Sequence, residues 1–171
     1  MKYSLISSLL LLQTVLPHEC SITLKPMWQN LEPNPEKIEQ FGKWLLVGSL
    51  TFKKRTETKV RMRELRLKWH GPFLEHLTAS LYKENHEKHF IPLQENVICD
   101  GQWNKKEQTL FLRFEHEEQL CAVNTFYLVL TVPQNIEKHL EHGAFTIPQA
   151  SLPDPFKKAV KRNESLVLAA H

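Results

Sequence analysis

A chain of 171 residues, 42% hydrophobic and 24% charged, has the size and composition of one globular domain, which excludes a disordered protein. Its net charge of +3 is too mild to mark a nucleic-acid binder. Five Gly and two Asp are few for loops that cradle phosphates or bind hard metals.

The N-terminus reads as a secretory signal peptide over residues 1–20. Lys2 supplies the positive start. Leu5 to Leu16 is an apolar run broken only by Ser7, Ser8, Gln13 and Thr14, and Pro17 ends it. A transmembrane helix needs about 20 residues, so this run is too short to span a bilayer. His18, Glu19 and Cys20 lack the small residues of a good cleavage site, which leaves an N-terminal core strand or an uncleaved anchor as the competing reading. The residues from Leu16 to Glu19 also lack the small side chains that precede a lipid-modified Cys, which argues against lipidation of Cys20. On this reading the mature chain, 21–171, is extracytoplasmic, either secreted or periplasmic.

Residues 21–33 form an extended lead-in containing Pro26 and Pro33. Asn34-Pro35-Glu36 starts a helix, with Asn as N-cap and Pro in the first turn, and Gly42 ends it. Strands follow. Leu50 and Phe52 alternate with polar neighbours over about 44–53. The next strand, about 59–70, changes phase: Val60 and Met62 share one face, and Leu65, Leu67 and Trp69 require the other. A period-two strand cannot bury both sets on one side without an extra residue, which predicts a β-bulge near Glu64. The alternative is a strand that changes sheets there. His70-Gly71-Pro72 is a turn.

Further strands are predicted at about 75–83, 88–93, 96–100, 107–114 and 124–132. Asn104-Lys105-Lys106 and Glu115 to Glu118 read as polar connections. Asn135 to His142 reads as a short helix stopped by Gly143, and Ala144 to Ile147 as a short strand. Asp154-Pro155 opens a helix to about Arg162, and Leu166 to Ala169 reads as an edge strand. Short strands at even spacing, with connections too short for parallel crossovers, predict a mainly β protein. The expected form is an antiparallel two-sheet β-sandwich of about 7–9 strands with two or three short helices, in a single domain over 21–171.

No catalytic signature stands out, and no enzyme is expected. Ser49, Ser80, Ser151 and Ser165 lack the flanking glycines of a nucleophile elbow. Cys99 precedes Asp100, and Cys121 follows Glu117 and Glu118, so both thiols have acidic neighbours that oppose a thiolate. In an oxidising compartment Cys99 and Cys121 are instead candidates for a disulfide, against the reading of two buried thiols. Glu115, Glu117 and Glu118 sit in one loop and do not face each other across a cleft as glycosidase carboxylates do. His86/His89 and His139/His142 each have His-x-x-His spacing, but neither pair brings the third and fourth ligands of a zinc site; exposed histidines are the simpler reading. No cofactor is expected. Asn163-Glu164-Ser165 is an N-glycosylation acceptor if the chain passes a eukaryotic secretory pathway, and Lys161-Arg162 resembles a dibasic processing site.

The sharpest feature is basic. Residues 53–68 carry Lys53, Lys54, Arg55, Lys59, Arg61, Arg63, Arg66 and Lys68 against Glu57 and Glu64. Arg61, Arg63, Arg66 and Lys68 alternate with apolar residues and line the wet face of their strand. Such a stripe attracts an acidic partner. It equally serves to cover apolar surface and to discourage edge aggregation, with acids of 84–118 pairing to it across the sheet. Phe52 and Trp69 are the aromatics of the region and fall at core phases, whereas nucleic-acid readers expose their rings. The expected function is non-enzymatic: an extracytoplasmic protein that binds a protein or other acidic macromolecule, not nucleic acid, through Arg61, Arg63, Arg66 and Lys68. The alternative is a small-ligand or metal-binding protein using the His-x-x-His pairs.

Overall fold

The computed structural model describes residues 20–31, 43–54, 59–71, 77–84, 90, 96–132, 143–157 and 165–168. They are almost entirely strand. The elements are β1 (Cys20–Leu31), β2 (Lys43–Lys54), β3 (Val60–His70), β4 (Thr78–Lys83), β5 (Val97–Asn104), β6 (Thr109–Leu120), β7 (Val123–Val132), β8 (Gly143–Thr146), a 3-10 turn (Gln149–Ser151), the one-turn helix α1 (Asp154–Lys157) and β9 (Ser165–Leu168). The helices expected at 34–42 and 135–142 and the strand at 88–93 lie outside the described residues, apart from Phe90. The helix opened by Asp154 is described over its first turn.

All strand pairs are antiparallel, in the order β1-β2-β7-β4-β5-β6-β3-β8-β9. The expected division into two separate sheets is not confirmed. β5 bonds to β4 on one side and to β6 on the other, so the two halves are one continuous, curled sheet, a half-barrel. Curling brings the outermost strands, β1 and β9, against each other. A strongly twisted sheet of this width curls rather than lying flat, and curling covers the apolar face with itself.

The concave face is the core. It joins Leu45, Leu50 and Phe52 of β2 and Phe126, Leu128 and Leu130 of β7 to Leu65, Leu67 and Trp69 of β3 and to Leu110 and Leu112 of β6. The cavity inside the curl measures about 10 Å³ and is lined by Leu24, Leu50, Leu67, Leu128, Phe145 and Ile147. That is about the room of one water, so the sheet interior is closely packed at this place. A smaller cluster on the convex face joins Trp44 and Leu46 to Tyr82 and Val129, with Phe90 packed against Tyr82 and Tyr127. β2 therefore buries both its faces.

The lead-in of 21–33 is strand β1. Cys20 belongs to it, paired with Lys54 and 5% exposed. The predicted phase change in β3 is present. Val60, Met62, Leu65, Leu67 and Trp69 all face the core, and the β3–β6 register shifts between Met62 and Glu64. The extra length, however, lies in β6: one residue of β3 stands opposite four of β6. For the same reason Glu115 to Glu118 are not a loop. They continue β6 as far as Leu120.

The turn at 105–108 is tight, with Gln108 in the left-handed region (φ 50°), and Asn104 Oδ1 accepts the Glu107 N–H at 3.3 Å. The far turn is held by Asn124, whose Oδ1 accepts the Cys121 N–H at 3.2 Å while its Nδ2 donates to the Cys121 carbonyl at 3.1 Å.

Candidate functional site

The four basic residues singled out in the sequence all lie on β3, and the structure brings them together with acids of β6. Glu117 accepts from Arg61 Nη1 at 3.0 Å and, through its other oxygen, from Arg63 Nε at 3.0 Å. Glu64 accepts from Arg113 Nε at 2.8 Å and from Arg66 Nε. Lys68 Nζ donates to the Glu107 carbonyl. The two carboxylates thus stand between pairs of arginines on either side of the register shift. Burial raises the Glu64 carboxyl, but the hydrogen bonds and charges of Arg113 and Arg66 outweigh it and hold it below the usual carboxylate range. Glu117 is held low in the same way by Arg61 and Arg63.

Each guanidinium carries five N–H donors, and these contacts engage each arginine through one nitrogen. The side chains remain open to water, from 52% exposed for Arg66 to 82% for Arg63. The outer face of β3–β6 keeps a surplus of positive charge: Arg61, Arg63, Arg66, Lys68 and Arg113 against Glu64, Glu115 and Glu117.

Sequence reasoning missed Arg113 and Phe111. Phe111 stands on the outer face of β6 directly opposite Arg66. The Arg66 guanidinium lies 5.1 Å from the ring centroid and that of Arg113 lies 5.9 Å from it. The alternation of Leu110, Leu112 and Phe114 puts Phe111 and Arg113 on the outer face of the strand. Their place beside the basic strand depends on which strand pairs with β3, and no local pattern encodes that.

Beside this cluster, at the β5–β6 hairpin, opens a depression of about 510 Å³ lined by Gln102, Trp103, Asn104, Lys105, Lys106, Phe111 and Arg113. It is wide and shallow. Its walls mix two aromatic residues, two amides and three cations, and of the aromatics Trp103 packs on Phe145 of the core at 6.0 Å between centroids.

The other candidates separate. His86, His89, His139 and His142 lie outside the described residues, as do Asn163 and the Lys161-Arg162 pair. Among the described residues no group of three His, Cys, Asp or Glu side chains is placed to hold a metal. Cys99 and Cys121 are free thiols. Cys99 is buried on β5 and Cys121 is exposed beyond the end of β6. The β5–β6 register sets Gly101 opposite Leu112, which leaves Cys121 about seven residues along β6 from the level of Cys99, on the order of 20 Å. A disulfide requires Cα atoms within about 7 Å, and the structure holds these two as free thiols. Burial, with a smaller contribution from Asp100, pushes the Cys99 thiol up to about 12, which suits a core side chain and not a nucleophile. Among the described residues no helix is long and apolar enough to cross a membrane.

Comparison with known proteins finds no protein family, no curated protein and no solved structure that matches this chain.

Proposed function

We propose that this chain is an exported, non-enzymatic β-sheet protein that binds an acidic macromolecule through the outer face of β3 and β6. In this reading the two halves of the sheet, joined at β5, act as the layers of a sandwich, and one layer presents the binding face. One observation carries the proposal: Glu117 and Glu64 each stand between two arginines, which orients four guanidiniums on a single face without cancelling its charge. Exposed ion pairs contribute little to folding stability, commonly under about 1 kcal/mol, so stability alone is a weak reason to collect so many arginines here. Oriented guanidiniums suit carboxylate, sulfate and phosphate groups, which accept two N–H bonds in parallel.

The test is retention on immobilised polyglutamate as a function of salt. The variant R61Q/R63Q/R66Q/K68Q should elute at clearly lower ionic strength than the wild type. A control that removes the same number of charges from β1 and β2, K25Q/K43Q/K53Q/K54Q, should elute close to the wild type. Circular dichroism verifies that both variants are folded. Equal elution of the two variants would show that only net charge matters and would dismiss the face.

A further inference from the structure

We infer that the acidic macromolecule is an anionic polysaccharide, and that the depression at the β5–β6 hairpin is the subsite for one of its acidic sugar rings. This rests on the reading above and names the partner's chemistry. A uronic acid ring has three recognition features: an apolar C–H face, several hydroxyls that both donate and accept, and a carboxylate. The depression supplies a counterpart to each. Phe111 presents an aromatic ring. Gln102 and Asn104 present side-chain amides, which donate and accept at once, and the Asn104 amide is held by the Glu107 N–H. Arg113, Lys105 and Lys106 present cations for the carboxylate. A volume of about 510 Å³ falls within the range of sites for small ligands, and its shallow form suits a ring that continues into a chain on both sides.

The chain has a track to follow. From the hairpin the cations continue along β3 from Lys68 through Arg66 and Arg63 to Arg61, about 23 Å at the rise of a strand. That length suits a linear polyanion of several rings. An acidic peptide would use the cations but leave the ring and the two amides without a role. Single-stranded nucleic acid would require a succession of aromatic faces. Among the described residues, Phe111 is the one aromatic side chain on the outer face of β3 and β6, and Trp103, which also lines the depression, packs on Phe145 of the core.

The experiment compares three labelled polyanions of matched charge by fluorescence polarisation: oligogalacturonate, oligoglutamate and oligothymidylate. Oligogalacturonate should bind most tightly. F111A, and separately Q102A/N104A, should each weaken it by about fivefold or more, the size of one net hydrogen bond or ring contact, and leave oligoglutamate nearly unchanged. F111Y keeps the ring and should keep the affinity, which separates recognition from any effect of F111A on folding. Tighter binding of the peptide or the DNA, or glycan binding indifferent to F111A and Q102A/N104A, would overturn the inference while leaving the basic face intact. If R61Q/R63Q/R66Q/K68Q leaves the binding of all three unchanged, the wider reading falls with it.

Discussion

Two glycines at the end of β3 show how much a single missing side chain can decide. Gly71 follows β3 and Gly143 opens β8, and the His70–Ala144 pairing sets them side by side. A Cβ on Gly71 would lie 2.6 Å from Cζ2 of Trp69, and one on Gly143 would lie 2.6 Å from Cζ3 of the same ring. The indole, 2% exposed and packed on Phe145 at 4.9 Å between centroids, occupies the slot those absent carbons leave. G143A forces either the ring or strand β8 to move. Overpacking of this kind should destabilise the protein by about 2 kcal/mol, measured as a lower urea midpoint at unchanged slope. A midpoint equal to the wild type would mean that β8 shifts without resistance. In sequence, Gly71 reads as punctuation after a strand, as the structure has it, and Gly143 as the stop of a helix that lies outside the described residues. Their shared purpose was illegible, because it depends on β8 pairing with β3 across a long stretch of chain. Phe111 teaches the same lesson for the candidate site. Its outward phase was readable, but its arginine neighbours were not.

At the level of elements, the β3–β6 pair carries most of what is specific to this fold. The burial phase of β3 was legible because period-two alternation is a local property. The extension of β6 through Glu115 to Gln119 was not, because a run of polar residues resembles a loop until a partner strand supplies its hydrogen bonds and counter-charges. The acids of this pair couple its stability to pH. The Glu64 carboxyl titrates below its ordinary value of 4.5 in the folded state. Folding therefore gains from its ionised form at any pH above that ordinary value. The gain disappears as pH falls through the lowered folded value, where both states are protonated. E64Q removes this contribution, so its stability should fall less than that of the wild type between pH 6 and pH 3. A difference of about 1 kcal/mol is expected for a partly exposed carboxylate bridging two arginines, read from urea unfolding at the two pH values. Parallel losses in both proteins would mean that the two arginines do not depend on this carboxylate.

Among the described residues the protein is one sheet whose apolar face is covered largely by its own curl. The short helix α1 covers it at one end. Phe156 is fully buried and meets Phe52 edge to face at 5.3 Å between centroids, and Phe52 in turn meets Phe126 at 5.9 Å. Leu152, just before the helix, is buried as well, and α1 packs against β1. One turn of helix has no stability of its own. Its place is set by Phe156, and the Asp154–Lys157 ion pair at 2.5 Å on the exposed side adds little. A plug of this kind should carry the energy of a core residue and not that of a surface helix. F156A removes a ring from the end of the aromatic chain that runs through Phe52 and Phe126, and the surrounding strands cannot collapse into the space without unpairing. The expected loss is about 3 to 5 kcal/mol of unfolding free energy. Because the hole would open beside β1, the buried thiol of Cys20 should also become more reactive toward a small alkylating reagent under native conditions, while Cys99, held within the sheet at β5, should remain protected. A loss below about 1 kcal/mol would place α1 outside the cooperative unit and make the curled sheet self-sufficient at that end.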